Sequence, residues 1–157
     1  MRKDKIEYYL DIADVASSRG TCLRRNYGAV IVKDDRIIAT GYTGAPRGRK
    51  NCEDIGFCTR EKLNVPSGQR YELCRSVHAE QNAVIQADGQ KTIGATIYVV
   101  GHDAKSGALC DGFPCAMCKR VIINAGIEKA VVRLSDGTYT VLNVADWVAD
   151  DEILTEV

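Results

Sequence analysis

Histidine is nearly absent from this chain: 157 residues hold two, His78 and His102. Any three-ligand metal site must therefore draw on other residue types. Net charge is also missing, because 21 basic residues offset 21 acidic ones. A neutral chain has no general attraction for nucleic acid or for a membrane surface, and neither is expected as a partner. No stretch approaches the roughly 18–20 continuous apolar residues that cross a bilayer. The start, Met1-Arg2-Lys3-Asp4-Lys5, leads into an amphipathic segment and not an apolar signal core, so a cytoplasmic location is expected. What remains is ordinary for a globular protein, with 45% hydrophobic and 27% charged residues. That balance argues against wholesale disorder, and the length suits one domain spanning residues 1–157.

Cysteine is the exception to this scarcity. Seven cysteines stand at positions 22, 52, 58, 74, 110, 115 and 118, an odd number that cannot all pair into disulfides. In a reducing compartment, clustered cysteine points to metal binding or catalysis.

Periodicity divides the chain into alternating elements. Ile6, Tyr9, Leu10, Ala13 and Ala16 recur at helical spacing, predicting a helix over 5–17. Residues 27–33 and 36–42 read as a hairpin turning at Asp34-Asp35. Residues 43–75 carry glycines, prolines and three cysteines but little periodicity, which predicts a long irregular insertion with a short helix near 51–63. A helix over 79–87, a strand over 95–100 and a polar loop over 101–113 follow. Pro114 then opens a helix that Gly126 closes. Strands at 130–134 and 139–142 and a short helix at 145–149 complete the pattern. Alternating helices and strands predict an α/β fold, a three-layer α/β/α sandwich on a mixed sheet of about five strands.

Two helix starts carry the chemistry. His78-Ala79-Glu80 opens one and Pro114-Cys115-Ala116-Met117-Cys118 opens the other. One imidazole and two thiolates form a three-ligand zinc set that leaves a fourth tetrahedral position for water. The Cys-x-x-Cys spacing places two donors on one helical turn, and helix N-termini favour the ionised thiolate. Glu80, two residues beyond His78, is the candidate proton carrier and not a ligand. His-x-Glu followed by Pro-Cys-x-x-Cys is the pattern of zinc-dependent nucleobase deaminases.

The same residues resemble the deoxycytidylate (dCMP) deaminases of the cytidine-deaminase-like superfamily. Gly28-Ala29-Val30-Ile31-Val32 is similar to the family's first core strand. Gly41-Tyr42-Thr43-Gly44-Ala45-Pro46-Arg47-Gly48 resembles its substrate loop, with Asn51-Cys52-Glu53 following. His78 to Ala83 and Pro114 to Cys118 are similar to its two zinc motifs. The resemblance implies hydrolysis of dCMP to dUMP and ammonia by one zinc-dependent domain. It implies substrate contacts from Thr43, Gly44, Ala45 and Arg47, and from Tyr139. Arg24, Arg25 and Arg47 flank the pocket loops and are phosphate candidates, since a guanidinium suits phosphate geometry. Thr43 departs from the family, which usually has Asn there; its hydroxyl can still donate and accept a hydrogen bond. A homo-oligomer, often a hexamer, is implied as well.

Cys22, Cys52, Cys58 and Cys74 match no compact metal motif, so spacing alone favours buried free thiols. The resemblance offers the other reading, a second and structural zinc that would order the irregular insertion. Cys110 reads as an incidental thiol, and His102 and Trp147 as structural. Two alternative functions stand beside dCMP deamination. One is deamination of another cytosine or nucleobase derivative; the other is a non-catalytic zinc-stabilised interaction module, which would have no need of Glu80.

Overall fold

The computed structural model describes residues 1–151. Helix α1 (Lys5–Ser17) is followed by the hairpin of β1 (Arg25–Lys33) and β2 (Arg36–Tyr42). Two single-turn helices, α2 (Cys52–Ile55) and α3 (Thr59–Lys62), precede α4 (Ala79–Gln86). Then come β3 (Thr96–Asp103), β4 (Leu109–Cys110), α5 (Ala116–Asn124), β5 (Lys129–Arg133), β6 (Tyr139–Asn143) and α6 (Val144–Asp150).

Alternation along β1 divides the molecule into layers, since successive strand residues point to opposite faces. Ala29 and Ile31 join a core with Ala79, Ala83, Ile97, Val99, Ile122 and Val132, beneath α4 and α5. Val30 and Val32 turn the other way, to Tyr9, Leu10 and Ala13 of α1. The sheet order is β2-β1-β3-β5-β6, with β4 folded back on the end of β3. β3 and β5 run parallel, joined through α5, and the other pairings are antiparallel. The expected three-layer α/β/α sandwich is therefore the fold observed.

Local chemistry explains the boundaries. Asp34 and Asp35 both have positive φ (50° and 59°), the backbone of a tight two-residue hairpin turn whose twist matches its strands. Two glycines let helices approach the sheet. A Cβ on Gly28 would lie 2.0 Å from the Ala13 carbonyl oxygen, and one on Gly41 2.4 Å from that of Ala79. Gly41 matters most for the site, because α4 begins there. On the opposite face, the acids of α1 are tied to the sheet by two cations or polar rings. Buried Arg133 reaches Glu7 at 2.8 Å, and His102 Nε2 meets Asp14 Oδ1 at 2.6 Å.

The structure departs from the sequence expectations in two places. The helix expected near 51–63 is two separate turns, because Gly56 takes a left-handed φ of 83° and ends α2. Long-range polar contacts order this region in place of an apolar stripe. Asn51 Oδ1 accepts from Thr21 Oγ1 at 3.0 Å and from the Ala45 N–H at 3.1 Å. Gly44 and Val77 exchange backbone hydrogen bonds of 3.2 and 2.7 Å. The loop expected over 101–113 is partly sheet: β3 runs on to Asp103, and Gly101 and His102 pair with β4. Its polar residues hide the strand, since Gly107 N–H donating to the Asp103 carbonyl closes a hairpin that no hydrophobic alternation signals.

Candidate zinc and catalytic site

Each half of the site is set by a helix start held against the sheet. The His78 N–H donates to Gln81 Oε1 at 2.9 Å, fixing the first turn of α4. Asn82 Nδ2 donates to the Tyr42 carbonyl at 2.8 Å, which pins that turn to the end of β2. Opposite, the Gly112 N–H donates to the Arg133 carbonyl at 2.9 Å, placing the entry to α5 over the end of β5. Lys119 N–H then donates to the Cys115 carbonyl at 2.9 Å and starts the helix, with Cys115 at its N-cap.

These constraints bring His78 Nδ1 to 3.4 Å from Cys118 Sγ and 3.7 Å from Cys115 Sγ. A tetrahedral zinc with Zn–S of 2.3 Å and Zn–N near 2.05 Å separates its S and N donors by about 3.6 Å. Among the described residues, His78, Cys115 and Cys118 are the one group of potential ligands whose donor atoms all lie within 4.8 Å of one another. The donor set fits zinc in type and in spacing.

The three donors and Glu80 strongly perturb one another's hold on a proton. The Cys115 thiol is pushed down to about 4, first by a hydrogen bond from Cys118, against the cost of burial, and then by His78. Cys118 is driven strongly upward by that same shared proton and by burial. Burial works to lower the affinity of His78 for a proton, yet hydrogen bonds to Cys115 and Cys74 and the Glu80 charge hold it up to about 10. Glu80 is 5% exposed, and burial raises its carboxyl while His78 opposes the rise.

His78, Glu80 and Cys115 line one cavity with Tyr27, Thr43 and Phe113. Thr43 and Arg25, both singled out from the sequence, are on its wall. Thr43 Oγ1 accepts from the Tyr27 N–H at 3.1 Å, so its hydroxyl keeps one hydrogen to donate inward. Gly44, Ala45, Arg47 and Tyr139 are not on that wall. Gly44 bridges to Val77, and the Ala45 N–H is held by Asn51. Arg47 is exposed in the loop, and Tyr139 stands on the edge strand β6. Arg24 reaches the cavity but is paired with Glu61 at 3.0 Å.

Cys22, Cys52, Cys58 and Cys74 all face the same cavity. Burial raises the Cys52 thiol, Ser76 opposes, and Cys22, Cys74 and Cys58 add to the rise. No three of these four sulfurs lie within 4.8 Å of one another. Cys110 donates towards the Tyr27 hydroxyl at 3.7 Å. Sequence reasoning missed Arg60, Tyr71 and Arg75. Tyr71 stands edge-on to His78, with centroids 5.1 Å apart, and Arg60 caps the Tyr71 ring at 4.3 Å. No local pattern marks Arg60. Arg75 could have been noticed from its place three residues before His78.

Residues 3–134 match the family described as the cytidine and deoxycytidylate deaminase zinc-binding region. The deoxycytidylate deaminase of Mycobacterium phage D29 is 39% identical over 135 residues, covering 83% of this chain and 94% of that protein. That of Schizosaccharomyces pombe is 35% identical over 130 residues, 82% of this chain but 36% of the yeast protein, so the chain spans about a third of that relative. A crystal structure of dCMP deaminase from cyanophage S-TIM5, in complex with dCMP and dUMP, aligns with a TM-score of 0.55 at 25% identity. The alignment covers 83% of this chain and 81% of that one. The family match takes in both helix starts and all three donors, and the chain belongs to the cytidine and deoxycytidylate deaminase zinc-binding family.

Proposed function

We propose that residues 1–157 act as one zinc-dependent deaminase domain that hydrolyses dCMP to dUMP and ammonia. The observation that carries the reading is a buried carboxyl, Glu80, in the same cavity as the His78, Cys115 and Cys118 donor set. A binding module or structural zinc knuckle has no use for that carboxyl, and burying one without a function is costly. A zinc ion held there supplies Lewis-acid activation of water near neutral pH. His78 through Nδ1, with the two sulfurs, holds and orients that centre. As the water oxygen bonds to C4, Glu80 would take one proton from it and pass it to N3 of the cytosine ring, where it stays. Glu80 would then pass the second water proton to the amine as the C4–N bond breaks and ammonia leaves. The Thr43 hydroxyl and Arg25 contact the sugar-phosphate part, with Gly44, Ala45 and Arg47 positioning the loop around it and Tyr139 a more distant candidate.

The test is steady-state turnover of dCMP, CMP, deoxycytidine and cytosine by the zinc-loaded protein. A polar pocket discriminates against a substrate that leaves its groups unpaired. The expected order has dCMP first, CMP weaker, and deoxycytidine lower than dCMP by about 100-fold or more in kcat/KM. Equal turnover of deoxycytidine and dCMP, or turnover of neither, overturns the dCMP reading.

The four remaining cavity cysteines are assigned, as part of the same proposal, to a second and structural zinc. Their shared cavity and the effect of the other three on Cys52 support it, and binding would draw the four sulfurs closer together. Elemental analysis of the native protein is expected to give two zinc ions per chain. Cys52→Ser is expected to lower the count to one and to reduce Tm, since a structural zinc contributes folding energy directly. Native protein with a single zinc and freely alkylated Cys22 and Cys74 refutes it.

A cytoplasmic homo-oligomer, a hexamer by family resemblance, completes the proposal. All seven cysteines are unpaired, which supports a reducing compartment. No helix among the described residues is long and apolar enough to cross a membrane.

A further inference from the structure

The catalytic cavity is unevenly charged for a neutral protein. Its wall carries four arginines (24, 25, 60 and 75) against one carboxyl, Glu80. Two of the four guanidinium groups already have partners. Arg24 is paired with Glu61 at 3.0 Å. Arg60 donates through Nε to the Gln69 carbonyl at 2.9 Å and lies over Tyr71. Arg25 stands near the Tyr27 phenol, which raises its hold on its proton. Arg75 differs. Its one polar contact is a long one, from one terminal nitrogen to the Lys50 carbonyl at 3.4 Å. Its Nε is buried and, among the described residues, is the one buried side-chain nitrogen or oxygen without a hydrogen-bond partner. Buried polar groups are nearly always satisfied, so an orphaned one points to a missing acceptor.

We infer that Arg75 is the residue that selects a 5′-phosphomonoester, taking the phosphate oxygens through Nε and a terminal nitrogen. A guanidinium presents adjacent N–H groups in a rigid fork that matches a phosphate edge, which a lysine or a hydroxyl cannot copy. The placement also suits the chemistry. Arg75 lies three residues before His78, and the Gly44–Val77 bridge locks the intervening chain to the loop after β2. The phosphate anchor and the metal donor are therefore held in one short rigid segment, so seating the phosphate sets the distance of the base from Glu80. The inference deepens the dCMP reading and rests on it for the identity of the nucleoside attached to the phosphate.

The experiment compares wild type, Arg75→Ala and Arg75→Lys, all zinc-loaded, by steady-state kinetics with dCMP and deoxycytidine. Calorimetry with inorganic phosphate and with deoxyribose 5-phosphate accompanies the kinetics. Arg75→Ala is expected to raise KM for dCMP by 10- to 100-fold with a much smaller fall in kcat, and to shrink the dCMP-to-deoxycytidine preference by a similar factor. Arg75→Lys should recover only part of it, and calorimetric phosphate binding should vanish in Arg75→Ala. A wild type that prefers dCMP alongside an Arg75→Ala enzyme that keeps that preference overturns the inference and leaves the dCMP reading standing. A wild type without that preference, but with phosphate binding that Arg75 controls, overturns the dCMP reading and sustains the inference. Should Arg75→Ala not fold, Arg75→Lys decides: undiminished discrimination and phosphate affinity overturn the inference.

Discussion

Glu80→Gln is expected to lower kcat for dCMP by about 10³-fold, within the range of 10²–10⁴ that a positioned proton carrier contributes. The amide has nearly the shape of the carboxyl, so it fills the same slot at the start of α4, where Glu80 is buried. It cannot take a proton from water or pass one to the ring. Zinc content should be unchanged, because Glu80 is not among the three clustered donors. Tm should not fall, since the substitution replaces a carboxyl whose ionisation burial already disfavours. Steady-state rates, elemental analysis and a thermal melt on the same preparation check all three. Activity within tenfold of wild type would remove Glu80 from the mechanism.

Cys118→Ser is expected to have an effect of similar or greater size by a different route. The hydroxyl keeps most of the volume at a position that is fully buried, so the fold should survive. It remains protonated near neutral pH and is a poor ligand for a soft-leaning cation. Zinc is then held by two strong donors, and activity at micromolar zinc should fall by at least about 10³-fold. Dialysis of the wild type against a chelator should reproduce the loss, and added zinc should restore it. Chelation should also lower Tm, because a ligand that binds the folded state alone stabilises it. The two variants separate the roles: Glu80→Gln keeps the metal and loses the rate, whereas Cys118→Ser loses both. Full activity of Cys118→Ser without bound metal would end the zinc assignment.

The sequence alone singled out the candidate metal donors and the layer architecture, for reasons that are physically local. His78, Cys115 and Cys118 were legible because zinc accepts few donor types and because both motifs sit at helix starts, where spacing along one turn dictates which side chains meet. The helix over 5–17 and the strand over 36–42 matched their expected bounds because an apolar face must recur with the period of the element that buries it. Tertiary structure alone decided what surrounds the donors. Residues 43–75 are ordered by contacts across about 30 positions, such as Thr21 to Asn51 and Gly44 to Val77, and no periodicity reports those. The same contacts gather Arg24, Arg25, Arg60 and Arg75 around one cavity, drawn from the entry to β1, from α3 and from the approach to α4. The sequence singled out Arg24 and Arg25 but left Arg60 and Arg75 as two arginines among many in a neutral chain, because partner and exposure depend on the whole fold. That Arg75 is the one left with a buried, unmatched nitrogen is a property of the packed molecule. Satisfaction of a polar group is settled by what lies beside it in space, and the order of residues along the chain carries no record of that neighbour.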